Sequence, residues 1–277
     1  VLTCAYASHG DTRHVLLFPE DPHESFEFSA SAFDLADRLQ TPVFVMLDLD
    51  IGMNERLTAP LAWDPARSYD RGKVMRHQEL ESGKEFGRYL DTDGDGIAYR
   101  TYPGTHPTRG AFFTRGTTKD RYAKYSESGT DYVENMQRLL RKFETAKALL
   151  PQPLTRPALQ ATRLGVVYYG STSPAMEEAL DALEQQGLHF DALRIRAFPF
   201  HENVADFIEE HDQVFVVEQN RDAQMRMLIV NECGVDPARL TPVLHYDGTP
   251  ITARFIIKEM AEDVAALKVT PMRKVVP

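Results

Sequence analysis

Two short apolar runs, residues 15–18 (VLLF) and 43–47 (VFVML), enclose a segment with the apolar spacing of one amphipathic helix. Short continuous apolar runs are typical of strands that a parallel sheet buries on both faces. A strand, a helix and a second strand form the basic unit of such a sheet, because parallel strands need a crossover between them. The order of these three segments therefore predicts an α/β fold for the first half of the chain.

The enclosed helix has recognisable start signals. Asp21 can accept a hydrogen bond at the N-cap, Pro22 suits the first helical turn, and Glu24 stands where a capping box places its acid. Thr41-Pro42 ends the helix, since a proline disfavours helical backbone in the residue before it. Four apolar residues recur at helical spacing and predict the buried face: Phe26, Ala30, Phe33 and Ala36.

The chain beyond residue 163 repeats the alternation with greater regularity. Apolar runs predict strands at residues 165–170, 190–195 and 214–217, with helices at 173–186, 202–210, 223–230 and 253–267. Upstream of them, three prolines at positions 151, 153 and 157 favour a stiff, extended connector. We therefore predict two parallel-sheet domains, residues 1–150 and 163–277, joined by a Pro-rich linker at 151–162.

Composition limits the function classes. A chain of 277 residues that is 43% apolar is long enough for two domains with their own cores, and its net charge of -10 argues against nucleic-acid binding. The longest apolar run spans residues 43–47, whereas a membrane-spanning helix needs about 20 residues, so no membrane insertion is expected. Cys4 and Cys233 form no C-x-x-C motif, which argues against a thiolate-bound cluster and favours a cytoplasmic location.

The polar turn after the second strand is a candidate binding site. Asp48, Asp50 and Asn54 follow the carboxyl end of a predicted parallel strand, which is the edge where open α/β sheets bind ligands. Helix capping and turn formation use the same residue types, so both interpretations stand. Residues 55–130 are long, polar and weakly periodic, which is typical of a functional or interfacial segment.

Residues 91–96 (DTDGDG) reproduce the first half of a calcium-binding loop. The second half departs from that pattern, because Tyr102 occupies the position of the bidentate glutamate. A turn of Asp and Gly residues held by its own side chains accounts for the same segment. No metal ligands are predicted, and a calcium-stabilised binding protein remains an alternative function.

Seven motifs, in their order along the chain, give a specific resemblance. They are residues 8–11 (SHGD), 41–45 with 48–54 (TPVFV, DLDIGMN), 93–97 (DGDGI), 103–107 (PGTHP), 113–116 (FTRG), 217–221 (VEQNR) and 246–251 (YDGTPI). Together they resemble the alpha subunit of 2-oxoglutarate:ferredoxin oxidoreductases along essentially the whole chain. The sequence starts at Val1, without methionine and within an apolar run, so we expect an N-terminally incomplete subunit.

The resemblance implies a thiamine-diphosphate enzyme. Residues 1–150 would form the later part of a pyrimidine-binding domain, and residues 163–277 a transketolase C-terminal-like domain. A beta subunit would hold the diphosphate, its Mg²⁺ and a 4Fe-4S cluster. The complex would be a dimer of alpha-beta units that reduces ferredoxin. The family's activating glutamate lies upstream of Val1, so no catalytic residue is assigned in this chain.

The implied reaction is the oxidative decarboxylation of 2-oxoglutarate with coenzyme A to succinyl-CoA, CO2 and reduced ferredoxin, or its reverse, as in the tricarboxylic acid cycle. The protein would orient the cofactor, neutralise the substrate carboxylate and shield the intermediate. Pyruvate or a branched-chain 2-oxoacid is the alternative substrate. A non-catalytic assembly module of the same fold is the alternative function.

The resemblance also implies substrate-binding residues near the start of the chain. Arg13 is the nearest match to an arginine that contacts the substrate carboxylate, and His14 could take that place. A surface cation beside Asp11 explains Arg13 equally well. His9 could transfer a proton or bind the distal carboxylate, and a histidine satisfied by its neighbours is the alternative.

Two further sets of candidate residues lie at predicted strand ends, within motifs of the resemblance. Asp48, Asp50 and Asn54 would lie against the cofactor. The predicted strand at 214–217 ends in three polar residues that would line the coenzyme A entrance or a subunit contact: Glu218, Asn220 and Arg221. A structural interface network explains these three residues as well.

Overall fold

The computed structural model describes residues 1–8, 11–116 and 118–269. Its helices are α1 (Leu2–Ala5), α2 (Pro22–Leu39), α3 (Leu49–Met53), α4 (His77–Glu81), α5 (Gly129–Leu149), α6 (Ser173–Gln185), α7 (Glu202–Glu210), α8 (Gln224–Cys233) and α9 (Ala253–Val269). Its strands are β1 (Val15–Leu17), β2 (Val43–Val45), β3 (Leu154–Arg156), β4 (Leu164–Tyr169), β5 (Asp191–Ile195), β6 (Ala197–Phe198), β7 (Gln213–Glu218) and β8 (Leu240–Leu244). Within these residues, no helix combines the length and the apolar character that a membrane span requires.

The larger sheet has the strand order β3-β5-β4-β7-β8. Strands β5, β4, β7 and β8 are parallel, and β3 pairs antiparallel with β5 at one edge. Side chains along β7 alternate between two apolar clusters: Val214 and Val216 meet α7 and α8, whereas Phe215 and Val217 meet α6 and α9. Helices therefore cover both faces, and the predicted α/β class with a parallel sheet is confirmed.

The smaller sheet has the order β2-β1-β6. Strands β1 and β2 are parallel, as their apolar runs predict, and β6 from the second half of the chain pairs antiparallel with β1. One apolar cluster contains Leu16 and Phe18 from the first half together with Val167 and Val216 from the second. The two halves of the chain therefore share a core, and β3 lies within the predicted linker segment.

Helix α2 begins as its sequence predicts and buries Ala30 of the predicted face, but its large buried side chains lie on another face. The Asp21 carboxylate accepts a hydrogen bond from the backbone N–H of Glu24 at 2.7 Å. The prediction for Phe33 was wrong, because its side chain is 70% exposed. The buried stripe of the helix is centred on Phe28, Leu35 and Leu39. At about 100° per residue, Phe33 is turned roughly 140° away from that stripe.

The segment between α3 and α5 has little regular structure. Apart from α4, it contains the isolated bridges Val74 to Arg100 and Lys119 to Tyr125. Ion pairs attach it to α2, since the Asp37 carboxylate accepts from Arg71 at 2.6 Å and from Arg100 at 3.0 Å. These two arginines hold the pKa of Asp37 below its usual value. Charged contacts thus help to hold this segment against α2, beside buried apolar residues such as Met75, Leu80 and Ile97.

Candidate functional site

A cleft opens where the carboxyl ends of strands from both sheets converge. Strands β4 and β7 are neighbours in the larger sheet, yet the chain leaves β4 toward β5 and later returns on the other side of β4. Ligands of open α/β sheets bind at this kind of switch in strand order. The cleft has a volume of about 210 Å³. Its described lining residues are Val1, Phe18, Met46, Leu47, Asp48, Ile51, Tyr169, Gly170, Ser171, Thr172, Gln219, Asn220 and Gln224.

Asp48 connects the two halves of the chain across this cleft. Its carboxylate accepts a hydrogen bond from the Ser171 hydroxyl and another, at 3.0 Å, from the backbone N–H of Ile51 in the first turn of α3. The Gln219 side-chain amide donates to Ser171 Oγ at 2.8 Å. The sequence placed Asp48 at a strand end, and the structure brings it together with strand ends of the other sheet.

Glu218 lies beneath the cleft and is fully buried. Its carboxylate accepts from the backbone N–H groups of Met225 at 2.8 Å and Arg226 at 3.1 Å, both in the first turn of α8. The Asn220 amide donates to the same carboxylate at 2.7 Å. Burial raises the pKa of Glu218, and these hydrogen bonds oppose that rise. Glu218 therefore caps α8 and positions Asn220, which does line the cleft.

The remaining residues of the two sets predicted at strand ends, Arg221, Asp50 and Asn54, differ in environment. Arg221 is exposed and forms an ion pair with the neighbouring Asp222 at 2.7 Å. Asp50, on α3, pairs with Arg56 at 2.9 Å and accepts from the Asn54 amide at 3.1 Å. Arg221, Asp50 and Asn54 are absent from the described lining of the cleft. Of the residues predicted at strand ends, the structure gathers Asp48 and Asn220 in one place.

The cleft has an apolar wall and few charges. Phe18 and Tyr169 meet edge to face with ring centroids 5.2 Å apart, and Met46 lies beside them. Burial is the main cause that raises the pKa of Tyr169, with the nearby Glu218 carboxylate as the next cause. Lys and Arg side chains are absent from the described lining. These surroundings suit an uncharged heterocycle, whereas a diphosphate would find no cationic side chain in them.

Arg13 lies at a second cavity rather than in the cleft. Its Nε donates to the two carboxylate oxygens of Glu232 at 2.9 and 3.1 Å. The pair lines a cavity of about 350 Å³ together with residues of α5, α7 and the segment joining β6 to α7. In this structure, the carboxylate that Arg13 binds is supplied by α8 of the same chain.

His14 is buried, and His9 lies outside the described residues. The His14 Nε2 forms a hydrogen bond with the Ser8 hydroxyl, and its ring meets Phe44 edge to face at 5.4 Å. Burial lowers the pKa of His14 below its usual value, which favours the neutral ring. The structure thus separates Arg13 and His14 from Asp48 and Asn220, and their substrate role stays a prediction.

The loop that resembles half of a calcium site is held by a lysine. Lys73 Nζ lies 2.7 Å from Asp93 Oδ2 and 2.7 Å from Asp95 Oδ1. The Asp91 carboxylate accepts from the backbone N–H of Gly96 at 3.0 Å, so the turn also uses its own side chains. An ammonium group therefore stands between the two carboxylates where a cation would bind.

A histidine-rich cluster was missed by the sequence analysis. Ligand atoms of His77, Glu81 and His106 lie within 4.8 Å of one another. The His106 Nδ1 accepts from the backbone N–H groups of Thr108 at 3.1 Å and Arg109 at 2.9 Å, which leaves its proton on Nε2. That Nε2 faces Glu81 at 2.6 Å. The cluster is therefore arranged as a hydrogen-bonded group. His77 and Glu81 share an i, i+4 spacing on α4, but His106 is distant in sequence.

Comparisons with known proteins agree on one kind of subunit. No family model matches the chain. It is 27% identical over 251 residues, 88% of its length, to the alpha subunit of 2-oxoacid:ferredoxin oxidoreductase 1 from Sulfurisphaera tokodaii. It is 25% identical over 226 residues, 79% of its length, to the 2-oxoglutarate synthase subunit KorA from Methanothermobacter thermautotrophicus. The chain spans only 38% of the first relative and 56% of the second.

A solved structure shares the fold. The chain superposes with a TM-score of 0.81 on a chain of the 2-oxoglutarate:ferredoxin oxidoreductase from Magnetococcus marinus, which was determined with 2-oxoglutarate, coenzyme A and succinyl-CoA bound. The aligned region covers 95% of this chain and 44% of the other, at 20% identity. The predicted resemblance is confirmed at the level of fold and of similarity to 2-oxoacid:ferredoxin oxidoreductase alpha subunits.

Proposed function

We propose that this chain is part of the alpha subunit of a thiamine-diphosphate-dependent 2-oxoacid:ferredoxin oxidoreductase. The supporting observation is the similarity to such alpha subunits along 88% of the chain, together with the shared fold. The substrate that we propose is 2-oxoglutarate, which is oxidatively decarboxylated with coenzyme A to succinyl-CoA, CO2 and reduced ferredoxin, or formed in the reverse reaction. A beta subunit would supply the Mg²⁺ site and the 4Fe-4S cluster, and the two subunits would assemble as a dimer of alpha-beta units.

The cleft supports a defined share of the cofactor site. Its wall of Phe18, Met46 and Tyr169 would pack against an uncharged ring, and Asp48 and Gln219 are among the polar residues that line the same cleft. The lack of Lys and Arg in the described lining fits a diphosphate that is held by the partner subunit. When bound, thiamine diphosphate supplies the carbanion that attacks the 2-oxo carbon. The contribution of this chain would be to orient the ring and to exclude water.

The experiment is an activity assay of the complete alpha subunit assembled with its beta subunit. We expect 2-oxoglutarate and coenzyme A to drive reduction of a low-potential electron acceptor. Asp48→Asn should lower kcat/KM about 100-fold, because even a small displacement of a positioned cofactor lowers the reaction rate strongly. Arg163→Gln is the matched control, since Arg163 lies in an exposed pair with Asp212. Full activity of Asp48→Asn would refute the assignment of the cleft.

The proposed contact between Arg13 and the substrate carboxylate needs its own test. If Arg13 binds substrate, Arg13→Ala raises KM, and Glu232→Gln, which frees the guanidinium, lowers KM. If the pair with Glu232 is purely structural, both variants lower Tm and leave KM unchanged. His14 would take over the proposed role only if a His14→Gln variant raised KM in the same assay.

The substrate and the alternative function are separated by the same assay. Turnover of pyruvate or a branched-chain 2-oxoacid in place of 2-oxoglutarate would keep the enzyme class and change the substrate. A complex that assembles correctly, loads its cofactor and turns over none of these 2-oxoacids would favour the non-catalytic assembly module. Three contacts within the chain support this alternative. Arg13 pairs with Glu232, Asp50 pairs with Arg56, and the Asn54 amide donates to Asp50, so these predicted site residues already have partners.

A further inference from the structure

Gln219 lies between Glu218 and Asn220, yet the sequence analysis assigned it no role. It follows β7 directly, and its side chain lines the cleft. Its amide nitrogen donates to Ser171 Oγ at 2.8 Å and to Thr172 Oγ1 at 3.3 Å. Both hydroxyl groups belong to the turn after β4, and both residues are buried members of the cleft lining. The Gln219 amide therefore connects the ends of β7 and β4 within the cleft.

A backbone group fixes the orientation of this amide. The N–H of Ile251 faces Gln219 Oε1 at 3.4 Å. Because an N–H group needs an acceptor, the amide oxygen points to Ile251 and the amide nitrogen points to the two hydroxyl groups. Ile251 ends the motif at residues 246–251, and no residue of that motif is in the described lining of the cleft. The motif therefore reaches the cleft through Gln219.

The direction of hydrogen bonding continues from Gln219 to Asp48. The amide nitrogen can only donate, so Ser171 Oγ accepts from Gln219 and its own proton goes to the Asp48 carboxylate. The other carboxylate oxygen accepts from the backbone N–H of Ile51 at 3.0 Å. Hydrogen bonds that run in one direction along a chain polarise and strengthen one another. Gln219 therefore acts on Asp48 through the Ser171 hydroxyl.

We propose that Gln219 is a positioning residue of the cleft, a role that rests on the proposed function: through Ser171 it sets the orientation of the Asp48 carboxylate toward the bound ring. Asp48 is an exposed residue, so packing alone does not fix its side chain. Without the Gln219 donor, the Ser171 hydroxyl is free to rotate toward another acceptor. Asp48 would then keep only the hydrogen bond from Ile51, in the neighbouring turn.

The test is a double-mutant cycle in the complete alpha subunit assembled with its beta subunit. Gln219→Met should lower kcat for 2-oxoglutarate about tenfold with KM unchanged, and weaken binding of thiamine diphosphate about threefold or more. In the Asp48→Asn background, the same change should alter both quantities by less than about twofold, because the group that Gln219 orients is already altered. Gln213→Met is the matched control, since Gln213 begins β7, at the other end of the strand, and donates to Thr241 Oγ1 at 2.8 Å.

The positioning role and the proposed function fail in different ways. An unmodified complex that neither binds thiamine diphosphate nor turns over a 2-oxoacid would refute the proposed function, and this role with it. A functional unmodified complex with equal losses from Gln219→Met in both backgrounds would refute only the positioning role. Equal losses from Gln213→Met would do the same, since they would show a general effect of a weakened β7. The binding measurement also tests the role in a complex that binds the cofactor without turnover.

Gln219→Glu keeps the proposal testable if Gln219→Met fails to fold. This change preserves the shape of the side chain and an oxygen that faces Ile251, but it replaces the donating nitrogen with an acceptor. Ser171 can then no longer accept from this side chain, so kcat and cofactor binding should fall as in Gln219→Met, with the same dependence on Asp48. Unchanged kcat and unchanged binding in Gln219→Glu would overturn the positioning role.

Discussion

The two halves of the chain form their structure by different means. After residue 163, each predicted strand is buried in a five-stranded sheet with helices on both faces. Before residue 150, β1 and β2 span three residues each, and the third strand of their sheet, β6, comes from the second half. The second half therefore carries a sheet of its own, whereas the first half completes its sheet with a borrowed strand.

The exposed apolar residues show the same contrast. In the first half, Leu47, Leu49, Met53 and Leu57 are close in sequence, beside the cleft residue Asp48, and each is more than half exposed. After residue 163, the large exposed apolar residues of the described chain, such as Met227, Tyr246 and Leu267, are far apart in sequence. Contiguous exposed apolar surface often marks an interaction site. The first half thus leaves apolar surface exposed, whereas the second half covers its apolar surface with its own helices.

The largest expected effect concerns the contact between the long polar segment, residues 55–130, and α5. A Cβ on Gly96 would come within 2.6 Å of the Arg138 carbonyl oxygen and would also overlap the Lys142 backbone nitrogen, so α5 would have to move. Gly96→Ala should lower the free energy of unfolding by about 3 to 4 kcal/mol in urea titrations. Gly94 is the control, because it has the same φ of 79° but no atom within 4 Å of an added Cβ. Gly94→Ala should lower the free energy of unfolding by only about 1 kcal/mol. Equal losses would mean that α5 does not constrain this turn.

The next effect tests whether the halves unfold together. Glu24, on α2, accepts from Arg194 and Arg196 of the second half at 2.9 and 2.7 Å, and Arg194 is 4% exposed. Glu24→Gln leaves the buried Arg194 with Glu20 as its remaining carboxylate partner and removes the carboxylate partner of Arg196, so it should lower the free energy of unfolding by about 2 to 3 kcal/mol in one cooperative transition. The control Asp181→Asn removes an exposed partner of Arg156 and should change it by less than about 1 kcal/mol. Two separated transitions in the unmodified chain would contradict the shared core.

Local signals predicted the second half well and the first half in part. The helix predicted at 202–210 is observed as Glu202–Glu210, and the cap of α2 at Asp21 is confirmed, because both depend on residues adjacent in sequence. The pairing of β6 with β1 and the exposure of Phe33 depend on which distant segment packs where. No local pattern contains that information.

The residues of the candidate site show the same difference between local signals and long-range contacts. Asp48 and Asn220 follow strands, so a rule about strand ends found them and the structure places both in one cleft. Arg13 and His14 were assigned from the resemblance, and their contacts with Glu232 and Ser8 could not be predicted from spacing. The cluster of His77, Glu81 and His106 was missed for the same reason, since His106 is distant in sequence from the other two residues.

A smaller effect depends on pH. Burial lowers the pKa of Lys142 from 10.5 to about 7, with further lowering by Arg138 and Arg88. Between pH 7 and 10.5 the unfolded chain holds a proton that the folded chain has lost, so this lysine destabilises the fold most at the low end and less as pH rises. Lys142→Met should therefore raise the free energy of unfolding by about 2 kcal/mol at pH 7 and by progressively less toward pH 10. Lys147→Met, on the same helix, should show no such trend. A gain that does not shrink with pH would contradict the buried charge.

The smallest expected effect on folding bears most directly on the contrast between the halves. Leu49 and Met53 are 75% and 78% exposed on α3, so changing both to Gln should alter the free energy of unfolding by less than about 0.5 kcal/mol. If this surface contacts the proposed beta subunit, the same double variant should weaken association about tenfold or more. Leu159→Gln is the control, since Leu159 is 82% exposed in the linker segment between the halves and should leave association unchanged. Equal binding by both variants, measured by analytical ultracentrifugation of the complete subunits, would show that the exposed apolar residues of the first half are not its contact surface. The difference between the halves would then concern only their folding.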